Sequence, residues 1–432
     1  VNSQIITILV IGALMVAGFA VGRGKFAAVA IGVIIALNVT GILSFTGAWA
    51  GYASTTAVLF ASMFVLAAAL SKTSLLGKIA GVIVPDGSSE RRAVIGCGLI
   101  TIILSILGNT SSAIATVMPI VFKVAEKAGI SPKRILKPLV DVSAIWVGVL
   151  PLGVGMAAYS IANDMLVSFG GQASFNVTTF MIGRLPVALV TTALVLLIGY
   201  RFSPKNLDGV DYAGMTAEQT ASADKKPGLS PRKEKAVYII YIVTLITMIA
   251  SAAIRAIDAA SCAAIGALLM VFTGVLTEKE AFRSINLSVI SLYCGTIALA
   301  TGLSESGATE IISDWLQSLL GGMASPFAIT LVLFIVTAVA TQFLNNTSAS
   351  NIFLVVGVIV SVSCGFDARA VLVAVSLGAT MPGVVPMASA TEALVFAQGG
   401  YTMKEYLKAG SFTFLVYSLL TMAWAPFIFP AV

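Results

Sequence analysis

Leu107–Ser112 (LGNTSS) and Leu344–Ala349 (LNNTSA) each set an Asn-Thr pair in the middle of a long apolar run. Asn is costly in hydrocarbon, and its side chain competes for nearby backbone groups and so breaks helices. Neither run can therefore continue as one unbroken helix. Non-helical backbone at membrane depth is tolerated only where protein or a water-filled cavity surrounds it.

Hydrocarbon is the right solvent to consider. Hydrophobic residues make up 58% of the 432 positions and charged residues 10%, with a mean hydropathy of +1.01. A soluble domain is roughly a quarter charged. The runs are long and continuous rather than alternating over ~10 residues, which excludes a β-barrel. The expected class is an all-α integral membrane protein of about ten helices of roughly 20 residues. The net charge of +6 is scattered through short loops, a pattern of membrane orientation rather than of nucleic-acid binding. Cys97, Cys262, Cys294 and Cys364 stand singly in apolar surroundings, and there is no His. Neither a disulfide framework nor a His-metal centre is indicated. The segment from about Ile5 to Val21 lacks a preceding basic region and reads as a retained span.

Spans are expected at about 5–22, 26–43 and 54–70, followed by a basic stretch containing an amphipathic piece, Leu75–Val84. Two half-length arms, about 93–107 and 113–123, flank the first Asn-Thr pair and form a re-entrant hairpin. The segment at 135–168 is interrupted at Gly148-Val149-Leu150-Pro151, where Pro removes a donor and Gly frees the chain. A span at 180–200 and a hydrophilic linker at 201–235 follow. The pattern then restarts, with spans at 237–254, 262–277 and 285–302 and an interfacial stretch at 304–321. Arms at 327–343 and 350–363, an interrupted segment at 368–398 and a last span at 407–430 complete the chain.

The halves align directly. Ala30-Ile31-Gly32 matches Ala264-Ile265-Gly266, and Thr40-Gly41 matches Thr273-Gly274. Leu70-Ser71 matches Leu303-Ser304, Asn109-Thr110-Ser111 matches Asn346-Thr347-Ser348, and Gly148–Pro151 matches Gly383–Pro386. Residues 1–200 and 236–432 are read as one repeat used twice. Arg23, Lys25, Lys72, Lys78, Arg91, Arg92, Lys123, Lys127, Lys133, Arg134, Lys137 and the linker mark cytoplasmic loops. On that reading each repeat crosses the membrane five times. The second copy is then inverted, both termini lie outside, and the hairpins enter from opposite sides.

Inversion brings the two Asn-Thr tips together near mid-depth, which in transporters is the binding site. Four helix N-termini, after the two tips and the two Pro, are expected to converge there, each carrying roughly half a positive charge. Candidate anion-binding residues are Asn109, Thr110, Ser111, Asn346, Thr347, Ser348 and Thr391, with Pro151 and Pro386 shaping the backbone. No Lys or Arg is expected at either tip or break, so anion binding would rest on dipoles, neutral donors and any co-bound cation. Candidate Na⁺ positions are Gly108, Asn109, Gly148, Asn345, Asn346, Gly383 and Glu392. Glu392 is open to three roles: acid at a helix N-terminus, cation ligand or protonation site. Asp141 is expected in an interfacial salt bridge with Lys137, and Asp164 at the outer surface.

At these residues the chain resembles the divalent anion/sodium symporter family of the ion transporter superfamily. The resemblance spans both hairpins, both interrupted helices and the stretch Gly383–Gly410. Gly108 and Asn345 stand where that family has Ser, and Ser389-Ala390-Thr391-Glu392 stands where it has a Thr-Pro-Pro-Asn type sequence. The resemblance implies a homodimer in the inner (plasma) membrane. Each protomer would combine a fixed scaffold with an elevator-like transport domain, both built from both repeats. The implied activity is Na⁺-coupled transport of small polar anions, C4-dicarboxylates or citrate, with no organic cofactor. The rivals are the membrane subunit of a tripartite binding-protein-dependent system and a cation/proton antiporter. No nucleophile–base pair, metal set or nucleotide loop suggests an enzyme.

Overall fold

A computed structural model describes residues 3–21, 26–73, 89–107, 110–150, 155–172, 175–207, 229–254, 258–308, 311, 325–344 and 346–429. Gly108, Asn109, Pro151, Asn345 and the amphipathic piece at 75–84 lie outside them, as does most of the interfacial stretch at 304–321. Among the described residues every regular element is helical.

The first half runs α1 (Ser3–Val21), α2 (Phe26–Val39), a short α3 (Phe45–Trp49), α4 (Thr55–Ser71), α5 (Glu90–Leu107), α6 (Thr110–Ala128), α7 (Lys133–Trp146), α8 (Gly155–Ser168) and α9 (Val177–Leu197). The second half runs α10 (Pro231–Ile254), α11 (Ala259–Phe272), a short α12 (Glu278–Ser284), α13 (Leu287–Glu305), α14 (Pro326–Ala340), α15 (Asn346–Cys364), α16 (Ala368–Ala379), α17 (Ala390–Gln398) and α18 (Met403–Ile428). Among the described residues five stretches are long and apolar enough to cross a membrane: Phe45–Leu70, Thr178–Leu197, Leu287–Glu305, Asn346–Cys364 and Met403–Ile428. Shorter apolar helices include Ala27–Val39, Ala259–Phe272, Pro326–Ala340 and Ala368–Ala379, the last two ending at the second tip and the second break.

Local chemistry sets these boundaries. Ser44 and Thr277, at corresponding places in the two halves, cap α3 and α12 by accepting from the N–H groups of Gly47 and Glu280. Left-handed glycines also recur in pairs: Gly41 with Gly274, Gly129 with Gly365, and Gly170 with Gly400. A side chain there would be strained, so each marks a helix stop that only Gly closes at low cost. Asn176, in a glycosylation-like Asn-Val-Thr, caps α9.

The helices pack in two groups, each drawn from both halves. In one, α2 lies on α1 and α13, and α11 lies on α4 and α10. In the other, α5 packs on α6 and α7, α16 on α14, α15 and α18, and α9 on α18. The groups meet where α8 and α15 touch α13 and where α8 touches α4. Asp164, half-buried, sits at that seam. Its Oδ2 accepts from Thr56 Oγ1 on α4 and from Tyr293 OH on α13, both at 2.7 Å. A carboxylate in an apolar seam needs such donors more than it can use distant solvent.

Within the first group α2 and α13 approach to backbone contact. A Cβ added to Gly295 would lie 2.8 Å from the Ala30 carbonyl oxygen and 2.9 Å from its Cα. Neither atom can rotate away, so Gly295→Leu should destabilise by about 1–3 kcal/mol through overpacking. Thermal melting of the purified protein checks this, and an unchanged midpoint would show that the helices separate freely.

Candidate functional site

Helices begin at Thr110, Gly155, Asn346 and Ala390, where the sequence places restarts after the tips and breaks. Ser111, in the first turn of α6, lies 2.8 Å from Thr391 in the first turn of α17, hydroxyl to hydroxyl. The first hairpin thus reaches the second break. Thr391 is buried while Ser111 is exposed, so the pair sits on the wall of an accessible space.

The second hairpin is tied to the same break from the other side. Thr341 Oγ1, just past the end of α14, donates to Asn346 Oδ1 at 3.0 Å and lies 3.1 Å from the Ala379 carbonyl. Gln342 Oε1 accepts from the Val384 N–H at 2.8 Å. Ser348 Oγ and Asn351 Nδ2, one turn apart on α15, are buried with no hydrogen-bond partner among the described residues. Buried polar groups are nearly always paired, so these two mark α15 as a surface with unspent hydrogen-bonding capacity. Pro386 is buried and opens a 3₁₀ turn, Pro386–Ala388, before Ser389 caps α17 through the Glu392 N–H.

Cations do stand at both breaks, which corrects the expectation that none would. At the first, Arg184 of α9 donates to the Val147 carbonyl at 3.0 Å and to the Gly148 carbonyl at 3.1 Å, and also to Thr380 Oγ1 at 2.8 Å. At the second, Lys137 Nζ donates to the Gly383 carbonyl at 2.6 Å. The Val147 and Gly148 carbonyls lie just past the end of α7, where the helix dipole is negative, and the Gly383 carbonyl lies in the non-helical stretch after α16, so a cation is a natural partner for each. The oxygens of Gly148 and Gly383 that the sequence offered to Na⁺ are thereby engaged by side chains.

Lys137 is not in a cytoplasmic loop, nor are Lys133 and Arg134. All three belong to α7, which is buried along its whole length. Lys133 pairs with Glu405 at 3.2 Å and with Asn206 at 3.0 Å. Arg134 pairs with Glu90 at 2.6 Å and donates to the Tyr200 and Ser203 carbonyls. Asp141 does pair with Lys137, but in the interior rather than at the interface, since both are at most 1% exposed. Glu392 completes the cluster: its Oε2 is 3.2 Å from Lys137 Nζ, and its Oε1 accepts from the Gly383 N–H at 2.9 Å. Tyr406 OH donates to Glu392 Oε2, and Thr413 donates to Asp141 Oδ2 at 2.7 Å.

Against this geometry the comparisons with known proteins fall into place. The family model described as "Citrate transporter" matches residues 16–397. The chain belongs to the citrate transporter family. Members of this family and the relatives below are transporters, not enzymes. The sodium-dependent dicarboxylate transporter SdcS of Staphylococcus aureus is 24% identical over 87% of this chain and 76% of its own length. An uncharacterized transporter from Synechocystis is 29% identical, but over only 36% of this chain and 25% of its own length. Another, from Methanocaldococcus jannaschii, is 26% identical over 37% of this chain and 35% of its own. Among solved structures, the YdaH transporter of Alcanivorax borkumensis superposes with a TM-score of 0.63 at 14% identity, over 88% of this chain and 87% of that one. MtrF of Neisseria gonorrhoeae gives 0.58 at 13%, over 98% and 95%. The fold of this citrate transporter family member is therefore that of a multi-helix membrane transporter.

Sequence reasoning missed Thr341, Gln342, Arg184 and Lys137. The Thr-Gln pair stands two residues before the second Asn-Asn-Thr, a polar step that extends the break signal. The cations gave no such sign, because each is distant in sequence from at least part of what it bonds.

Arg184→Gln should lower stability by about 1–3 kcal/mol for each carbonyl left unpaired. Arg184→Lys should recover only part of this, because an ammonium cannot reproduce the planar fork that spans two carbonyls. Melting midpoints of the purified variants test the ranking, and equal midpoints for Lys and Gln would contradict it.

Proposed function

We propose that this protein is a secondary active transporter that moves a small polar anion, a C4-dicarboxylate or citrate, coupled to Na⁺. The observation that carries the reading is the Ser111–Thr391 contact, which joins the first hairpin's tip to the second break. It is what a cavity lined by both halves requires. The family's description and the sodium dependence in the name of SdcS support the substrate class and the ion.

On this reading the anion lies against Asn109, Thr110, Ser111, Asn346, Thr347, Ser348 and Thr391, with the first turns of α6, α8, α15 and α17 directed at it. Pro151 and Pro386 hold the backbone open. Na⁺ sits at the tips, against Gly108, Asn109, Asn345 and Asn346, where carbonyl and amide oxygens suit a hard cation. The group containing α2, α4, α11 and α13 is the scaffold, through which two protomers dimerise in the plasma membrane. The group carrying both hairpins and both broken helices moves against it as an elevator. Paired left-handed glycines and the recurring order of elements support a repeat; on this reading its second copy is inverted in the membrane and both termini lie outside.

Proteoliposomes loaded against a Na⁺ gradient, challenged with succinate, citrate, sulfate and short monocarboxylates, test the assignment. Succinate or citrate should compete, and replacing Na⁺ by choline should collapse uptake. Equal flux in choline would overturn Na⁺ coupling. Asn346→Ala should abolish uptake with the protein still folded, and near-normal uptake would remove the tip from the site.

A further inference from the structure

Lys137 Nζ is fully buried and surrounded by oxygen: the Gly383 carbonyl at 2.6 Å, Asp141 Oδ1, and Glu392 Oε2 and Oε1 at 3.2 and 3.5 Å. The Tyr406 ring closes another side, its centroid 4.8 Å from the ammonium. One backbone carbonyl freed at a helix break plus two carboxylates is a donor set suited to a hard monovalent cation. The cage is rigid. A Cβ on Gly383 would meet Glu392 at 2.7 Å, and one on Gly410 would meet Lys137 Cε at 3.1 Å. The carboxylates are themselves held, Glu392 by the Gly383 N–H and Tyr406 OH, and Asp141 by Thr413.

We propose that Lys137 is a tethered cation: its ammonium fills the position at the second helix break that the fold offers to a mobile ion, so no Na⁺ binds there while Lys137 is present. The break needs positive charge for two reasons. Its Gly383 carbonyl is freed in the non-helical stretch after α16, and Asp141 and Glu392 bring two carboxylates into the interior. An unpaired buried charge costs several kcal/mol, so some cation has to be resident. A covalently held one offsets one of these two carboxylate charges permanently and cannot leave with substrate, and hydrogen bonds from Thr413, Tyr406 and the Gly383 N–H support the carboxylates. Arg184 does the same at the first break, on the Val147 and Gly148 carbonyls. Ion coupling is thereby confined to the hairpin tips. The sequence position of Lys137, on a first-half helix, lets it neutralise a break belonging to the second half, so the charge also pins the halves together.

The test needs no substrate and so stands apart from the transport reading. Melting of the full-length purified protein is followed in NaCl and in choline chloride at equal ionic strength. Lys137→Ala should melt below wild type in choline and gain a Na⁺-specific rise of about 3 °C or more beyond any wild-type response, because Na⁺ now binds the vacated cage. Adding Glu392→Gln to Lys137→Ala should remove that extra rise, and Lys137→Arg should respond as wild type does. Glu392→Gln alone should keep the wild-type Na⁺ response. The proposal fails if Lys137→Ala responds to Na⁺ no more than wild type. It also fails if Glu392→Gln with Lys137 intact weakens the response, since Na⁺ would then already be using that carboxylate. If Lys137→Ala does not fold, Lys137→Ser, which keeps a polar group in the cage, takes its place in the same comparison with the same expected and contrary results.

Discussion

A backbone carbonyl released inside hydrocarbon has to find a donor, and in this protein a buried cation supplies it at each helix break. Without Arg184 the Val147 and Gly148 carbonyls would lie unpaired where α7 ends. Without Lys137 the same would hold for Gly383 after α16, and two carboxylates would be left without a counter-charge. Broken helices are what a mid-membrane site requires, because only they present helix termini at that depth. The two cations are therefore the condition under which the rest of the architecture is affordable.

Around the second break the contacts form a continuous set. Thr341 and Gln342 fasten the second hairpin to it, Ser111 brings in the first hairpin, and Lys137, Asp141, Tyr406 and Thr413 fasten α7 and α18 through Glu392. The part of the molecule that carries the tips is thus knit internally by polar bonds. Among the described residues its seam with the α2–α13 group has few of them, Asp164 with Thr56 and Tyr293 being the clearest. Stiff inside and lightly bonded at its border is the physical character expected of a unit that moves as a whole.

Much of this was legible in the residues. Hydropathy and the absence of alternation specify an all-helical membrane protein, and the Asn-Thr pairs and Gly–Pro interruptions locate the restarts at Thr110, Gly155, Asn346 and Ala390. Those signals are local, so a sequence can carry them. What it could not carry is the partner of a released carbonyl, which depends on which helices pack together. Lys133, Arg134 and Lys137 read as a cytoplasmic loop because a cluster of basic residues normally is one. Burial in ion pairs with Glu90, Glu405, Asp141 and Glu392 reverses that, and three of those acids lie in other helices far along the chain. The partners of Asp164 were illegible for the same reason, since its two donors come from helices in different halves.

The contact between Ser111 and Thr391 joins the first tip to the second break, where the proposed site lies, and it can be probed directly. In a background with the four native cysteines replaced, Ser111→Cys and Thr391→Cys should form a disulfide rapidly under mild oxidation, because the paired hydroxyls lie 2.8 Å apart. Transport should stop while the bond is closed and return on reduction. Failure to cross-link in a folded protein, or a closed bond that leaves transport untouched, would contradict the account.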